Sequence, residues 1–367
     1  MEALEDSYGY IQGTADNSDY YNNYYNRSVR KEGVMGLKNK NASSCYMNAS
    51  IQCLVHLEGF NTSIVSKKNR KEEGLVYAIN DFIKEMSLNN NQKSYSPIKI
   101  RKAIGKIDEK YLKDKQRDAN EFISDCIMAI HDETKSSNSN PKIDLTDLDS
   151  EEKKAYDKIF QKFYSKNDSF IIDEFYGDFI DEVFCEKKHR INVKFQPYNM
   201  IELPVIKNIQ YDKRGKKYIE LEKVLENFIS QKKSSQKKRC PECKEEVEFY
   251  RSRKIHRTPN YLILYLNNSV DGFYNRIKLN PSEIINMSKY MKKKKQSEDF
   301  SLVGAIEYIG TGNRGHYIAY CNNFKDNKWY CFNDEWVEEI NVKGAGSTRC
   351  RRGRFRRSRP RSSGKTR

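Results

Sequence analysis

The chain has 367 residues, 37% of them hydrophobic and 12% aromatic, with 25 tyrosines and 17 phenylalanines, enough for a sizeable core in one large domain or two to three small ones. No run of 18 apolar residues occurs and the N-terminus MEALEDSYGY lacks the layout of a signal peptide, so neither a membrane-spanning helix nor secretion is indicated, and a cytoplasmic or nuclear protein is expected. The net charge of +16 is mostly a tail property: residues 342–367 carry nine Arg and two Lys with no acid, and 16 − 11 leaves +5 on residues 1–341.

Residues 1–32 hold six tyrosines among Asp, Asn, Gly and Ser without helical or alternating period, and read as a disordered leader, with order expected from about Gly33. An amphipathic helix is expected over Cys45–Leu57, where Met47, Ile51, Leu54 and Val55 recur at helical spacing behind Asn41, Ser43 and Ser44 as candidate N-caps. Cys45 then falls in the first turn. A second helix fits Asp118–Ile130, with Ala119, Phe122, Ile123, Cys126, Ile127 and Ile130 on one face, and a third fits Tyr218–Ile229.

From about Ile171 the pattern turns to β-branched and aromatic runs: DEFYGDFIDEVF, YLILYL (261–266), SLVGAIEYI (301–309), YIAYC (317–321) and KWYCF (328–332). Helices early and strands late predict an α+β architecture. The lysine-rich stretches QKKSSQKKRC (231–240) and YMKKKKQSED (290–299) lack periodicity and read as exposed connections. Residues 342–367 read as an Arg-rich disordered tail, either a nucleic-acid contact or nuclear address, or a merely solvated extension.

Nine cysteines, an odd number, favour free thiols, a metal site or a catalytic residue over a disulfide framework. A cysteine nucleophile acts as the thiolate, favoured at a helix N-terminus or beside a histidine. Cys45 meets the first condition; the alternative is a small core residue, as expected for Cys53, Cys126 and Cys321. Of the five histidines, His316 stands out. It follows the run GTGNRG (310–315) and opens the strand YIAYC, while KWYCF ends in Asn333 and Asp334, which an antiparallel hairpin would return alongside it.

Three segments together carry a resemblance. GLKNKNASSCYMNASIQCL (36–54), QRDANEF (116–122), and RGHYIAY with KWYCFNDEWV resemble the cysteine box, the QxDAxEF segment and the histidine box of the ubiquitin-specific proteases, papain-like cysteine peptidases. The resemblance covers about Gly33 to Asn341, so residues 33–341 are expected to form the catalytic domain. It implies a papain-like fold with a helical thumb lobe over about 33–165, a β-rich palm lobe and a β finger around 180–260. It implies Cys45 as nucleophile, His316 as general base and Asn333 as orienting residue, with Asp334 sharing or replacing that last role. The implied substrate is ubiquitin joined through its C-terminal glycine to a lysine amine, and the chemistry needs no cofactor. The resemblance further implies that Asp118 and Glu121 hold ubiquitin's basic tail and that Gly312, Gly315 and Tyr317 border the same channel.

Two departures from the family pattern stand out. The oxyanion-stabilising Asn belongs five residues before the nucleophile, where this chain has Lys40; Asn39 and Asn41 flank it, and Asn39 is preferred because GLKN is the matching stretch. Cys240-Pro-Glu-Cys243 is a zinc knuckle, but its earlier partner is Cys185-Glu-Lys-Lys-His189, with Lys188 where a second cysteine belongs. Either Cys185, His189, Cys240 and Cys243 form a Cys3His zinc site, or the knuckle binds nothing and the finger stands on its packing. A catalytically silent ubiquitin-binding module and a nucleic-acid-associated protein acting through its tail are the competing functions; an intact Cys45, His316 and Asn333 set argues for catalysis.

Overall fold

The cysteine-led segment forms helix α1 (Cys45–Val55), which is enclosed rather than amphipathic: ten of its eleven residues are buried. Its polar side chains each place a donor on a partner, although the buried Asn48 Oδ1 and Gln52 Oε1 accept no hydrogen bond. Ser50 Oγ donates to Tyr46 O, Gln52 Nε2 to Met35 O (both 2.7 Å), and Asn48 Nδ2 to the Asp334 carboxylate. A helix buried on every side belongs at a domain's centre, and elements from both halves of the chain pack around it.

The computed structural model describes residues 32–39, 43–67, 72–88, 94–136, 143–165, 168–205, 209–211, 213, 215, 217–267, 269–270, 273–274, 278–280, 284–293, 298–311 and 314–341. The leader up to residue 31, Lys40, Asn41, Gly312 and the tail 342–367 lie outside the described residues.

Around α1 gather α2 (Glu58–Ser66), α3 (Leu75–Ser87), α4 (Ile98–Ile107), α5 (Ala119–Thr134), α6 (Ser150–Ile159) and α7 (Phe170–Phe175). Their shared core includes Met47, Ile51, Phe60, Phe82, Phe122 and Phe175, each worth roughly 1.5–3 kcal/mol when fully buried. One helix start is capped from a neighbour: the Glu133 carboxylate on α5 accepts the backbone N–H groups of Leu75 and Val76 at 2.7 and 2.9 Å, which satisfies orphan donors and complements the α3 dipole.

The short strands β1 (Gly36–Leu37) and β2 (Ser94–Tyr95) pair in parallel. A four-stranded antiparallel sheet then forms from β3 (Gly177–Cys185), β4 (Arg190–Tyr198), β5 (Lys232–Arg239) and β6 (Glu246–Arg257), in the order β4-β3-β6-β5. A second comprises β7 (Gly304–Thr311), β8 (Arg314–Asn323), β9 (Lys328–Asn333) and β10 (Trp336–Ile340) in sequential order, with β8 lying against α1. Helix α8 (Leu221–Ile229) packs under a separate core of Ile201, Leu203, Ile255 and Met287.

Several expectations are corrected. Lys232–Arg239 is an edge strand, not a connection; its lysines are exposed, and Lys-rich edges are a device against unwanted strand pairing that hides the strand from a hydrophobicity reading. Tyr290 and Met291 are buried, and Lys292 Nζ reaches Glu182 at 2.7 Å and Glu152 at 3.0 Å, so that stretch is not wholly exposed either. Phe170–Phe175 is helical, and the strand begins only at Gly177. Tyr218–Glu220 belongs to a strand, and α8 starts at Leu221. β8 begins at Arg314, so His316 lies inside the strand opposite Ile309 and does not open it.

The finger sheet meets the helical lobe through a buried carboxylate. Asp178, fully buried, accepts from Tyr164 Oη (2.5 Å), Tyr156 Oη (3.1 Å) and Arg257 Nε (2.8 Å). Asp178→Ala strips Arg257 of its counter-charge, and the expected cost is about 3 kcal/mol, read as a lower urea midpoint at unchanged slope.

Candidate active site

Cys45 is the first residue of α1, fully buried, with its Sγ facing β8, where the Tyr317 backbone N–H donates to it. Burial pushes the thiol up to about 11, the nearby Asp334 carboxylate adds to the rise, and the N–H groups of Tyr317, Tyr46 and Cys45 oppose it. Ser44 occupies the N-cap position, but its side chain makes no capping bond. Asn39 Oδ1 serves that end of the helix by accepting from Ser44 N (3.1 Å) and Ser44 Oγ (2.9 Å).

His316 donates from Nε2 to Asn333 Oδ1 at 2.7 Å, and Asp334 Oδ2 lies 3.7 Å from the same nitrogen. A neutral imidazole donating from Nε2 carries its lone pair on Nδ1, the nitrogen able to take a proton. The other histidines have different settings. His56 is buried with Nδ1 on Gln52 O, His131 contacts Ser169, His189 lies in the finger, and His256 packs edge-on to Tyr156 and Phe195.

Asp334 follows Asn333 in the two-residue β9–β10 hairpin at φ +53°, a left-handed conformation that Asp tolerates in such turns. Its carboxylate accepts Asn39 Nδ2 on Oδ2 (2.9 Å) and Asn48 Nδ2 on Oδ1 (2.8 Å), and its carbonyl accepts Leu37 N (2.9 Å). Gly36 allows the approach, since a Cβ there would lie 2.5 Å from Glu335 O. Five side chains from three distant segments, Asn39, Asn48, His316, Asn333 and Asp334, are thus brought together.

The expected tail-binding residues separate. Asp118 holds the N-cap position of α5 without a side-chain cap and accepts Tyr317 Oη at 3.0 Å, while Tyr317 packs against Tyr308 at 4.9 Å between centroids. Glu121 instead pairs with Lys110 Nζ (3.1 Å), which Asp108 and Asp125 share. Two site neighbours escaped the sequence reading. Gln116 Nε2 donates to Gly315 O (2.8 Å) and lies 3.9 Å from Cys45 Sγ, and Asn48 anchors Asp334. Each sits inside a quoted motif, but their partners lie 199 and 286 residues away, which is why nothing local marked them.

In the finger, Cys185, His189, Cys240 and Cys243 converge with their ligand atoms all within 4.8 Å of one another. Lys188 adopts φ +66° and its N–H donates to Cys185 O, a turn that leaves Lys188 exposed and returns His189 to the cluster. Cys185 Sγ to Cys243 Sγ and Cys240 Sγ to His189 Nδ1 are both 3.9 Å, and Cys243 Sγ to His189 Nδ1 is 3.3 Å. With Zn–S near ~2.3 Å, tetrahedral edges come to roughly 3.8 Å, so the donor set fits zinc. The Cys243 N–H, 3.4 Å from Cys240 Sγ, draws that thiol down to about 7.

Residues 35–358 match the family model described as ubiquitin carboxyl-terminal hydrolase. The chain is similar to ubiquitin carboxyl-terminal hydrolase Usp2 of Drosophila melanogaster, 25% identical over 326 residues (85% of this chain, 34% of that protein). It is also similar to ubiquitin carboxyl-terminal hydrolase 2 of Bos taurus, 22% identical over 330 residues (85% and 53%). The chain therefore spans from about a third to about half the length of these relatives. Among solved structures it resembles a SAGA DUB module of Ubp8, Sgf11, Sus1 and Sgf73 bound to monoubiquitin, with a TM-score of 0.67 at 20% identity, covering 90% of this chain and 72% of the matched one. The same module bound to ubiquitin aldehyde gives 0.66 at 21% identity, with the same coverage. These likenesses are of fold, and the fold is the papain-like α+β arrangement.

Proposed function

Because the chain belongs to the ubiquitin carboxyl-terminal hydrolase family, we propose that it is a deubiquitinating cysteine protease, residues 33–341 forming its catalytic domain. Its reaction is hydrolysis of the bond after the C-terminal glycine of ubiquitin, through an acyl-thioester on Cys45. The observation that carries this reading is the 2.7 Å bond from His316 to Asn333, on strands packed against the helix that Cys45 heads.

With the resting thiol protonated, attack needs a base at the moment of reaction. His316 Nδ1 takes the Sγ proton as sulfur bonds to the glycine carbonyl carbon, and Asn333 and Asp334 hold and stabilise the imidazolium that forms. The imidazolium returns the proton to the departing lysine amine, and water, activated by the same imidazole, hydrolyses the thioester. Backbone N–H groups at the head of α1 and the Asn39 carboxamide stabilise the oxyanion. Asp118, turned toward Tyr317 beside the cleft, is the acid best set to meet ubiquitin's basic tail. Glu121 contributes only after exchanging Lys110 for a substrate cation.

The test is hydrolysis of a fluorogenic ubiquitin C-terminal amide, with a ubiquitin-like modifier as control. Ubiquitin-selective turnover supports the reading; ubiquitin binding without turnover establishes a silent ubiquitin reader instead. The raised thiol pKa has its own signature. A thiol near 11 leaves about 10⁻⁴ of Cys45 as thiolate at pH 7, so iodoacetamide alkylation of free Cys45 is expected to quicken about tenfold per pH unit from 7 toward 10. A rate already flat above pH 7 contradicts it and indicates a preformed thiolate–imidazolium pair.

Zinc, held by Cys185, His189, Cys240 and Cys243, would staple the turn between β3 and β4 to the one between β5 and β6. About one zinc per purified chain is expected, lost in Cys240→Ser together with a lower Tm. A metal-free wild-type chain of equal stability rules the site out. By composition the Arg-rich residues 342–367 are either a polyanion contact or a merely solvated extension, and salt-dependent nucleic-acid binding lost on their deletion supports the first.

A further inference from the structure

Gln116 lies on the segment entering α5, across the cleft from β8. Its carboxamide spans that cleft, donating to Gly315 O at 2.8 Å with Nε2 3.9 Å from Cys45 Sγ. Gly315 is confined, because a Cβ there would lie 2.1 Å from Tyr308 Cζ, so the carbonyl that receives Gln116 is held in place by packing. Of the other side-chain amides near the site, Asn39 Nδ2 and Asn48 Nδ2 each give an N–H to the Asp334 carboxylate, which leaves Asn39 a second N–H for the oxyanion. Of these three, Gln116 is the one whose N–H reaches the reacting sulfur.

Attack by Sγ creates an oxyanion one bond beyond the sulfur. A donor 3.9 Å from Sγ is in range of that oxygen at the ~2.7–3.1 Å an oxyanion donor requires. We propose that Gln116 is a catalytic residue: Nε2 leaves Gly315 O and donates to the carbonyl oxygen of the substrate's C-terminal glycine as that oxygen becomes negative, while Gly315 O accepts a main-chain N–H of the entering tail. This rests on the hydrolase reading above. The exchange breaks one internal hydrogen bond and forms two to substrate, so no polar group is stranded. Gln116 transfers no proton. The S–C bond forms, the carbonyl π pair moves to oxygen, and the thiol proton passes to His316.

The resting Gln116–Gly315 bond then acts as a placeholder, keeping both groups paired until a main chain replaces them. A tail residue with a side chain at the Gly315 contact meets Tyr308 and Tyr317, which suits a substrate ending in glycine.

The experiment compares the full chain with Gln116→Ala and Gln116→Glu, the latter keeping shape but offering, when ionised, no donor. Measured are kcat and KM on the fluorogenic ubiquitin amide, iodoacetamide alkylation of Cys45, and affinities for ubiquitin and ubiquitin aldehyde, whose adduct carries the tetrahedral oxygen. Expected is a kcat loss of about 10²-fold or more in both variants, with a matching loss of aldehyde affinity and with KM and ubiquitin affinity unchanged; alkylation is unchanged in Gln116→Ala and slows in Gln116→Glu, whose carboxylate beside Sγ disfavours the thiolate. Wild-type kcat in either variant overturns the inference, as does a parallel fall of alkylation and ubiquitin affinity, which marks a structural role. A wild-type chain that does not turn over sinks the hydrolase reading itself, and this inference with it.

Discussion

Cys45→Ala and His316→Ala each lower kcat on a fluorogenic ubiquitin amide by roughly 10⁴–10⁶-fold, and the double variant loses no more than the worse single one. The size follows from the roles. Without Sγ there is no atom to form the thioester; without the imidazole a thiol pushed up to about 11 keeps its proton at neutral pH. Non-additivity follows because the two act as one unit, the base being useful only to the nucleophile. Ubiquitin binding survives both substitutions, since affinity is spread over a surface that these two buried or half-buried groups barely extend. A His316→Ala variant with more than about a hundredth of wild-type kcat would show that another base serves Cys45.

Asp334→Ala is expected to cost more than Asn333→Ala, about 10³-fold against about 10²-fold, because of what each side chain holds. Asn333 Oδ1 accepts from His316 Nε2. Asp334 binds Asn39 and Asn48 and adds a negative charge 3.7 Å from His316 Nε2. Removing its carboxylate leaves Asn48 Nδ2, on a side chain 2% exposed, with only two carbonyls at 3.4 Å, a penalty of about 1–3 kcal/mol. It also frees Asn39, the oxyanion donor proposed above, from its bond to the carboxylate. Equal losses from the two variants would assign Asp334 to the hairpin rather than to the chemistry.

The difference between those residues was invisible in the sequence. Asn333 and Asp334 are neighbours of similar size, and choosing between them requires knowing that β1 passes the hairpin closely enough for Leu37 to bond Asp334. Gln116 was invisible for the same reason, as was the strand Lys232–Arg239, whose lysines advertise solvent while its backbone pairs with β6. The helix headed by Cys45 was legible, but its enclosure was not: the periodicity of Met47, Ile51 and Leu54 implied one wet face, which β8 and β9 cover.

What the amino-acid order determined by itself was local. It set a cysteine at the head of a helix, an Asn-Asp pair where a hairpin turns, and sulfur ligands at knuckle spacing, because dihedral preference and side-chain period act over a few residues. Tertiary structure alone decided which carboxamide faces the sulfur, which carboxylate gathers the asparagines, and that His189 converges with Cys185, Cys240 and Cys243. Those choices rest on hydrogen bonds between residues up to 295 positions apart, whose donors and acceptors meet only when two lobes close on a buried helix.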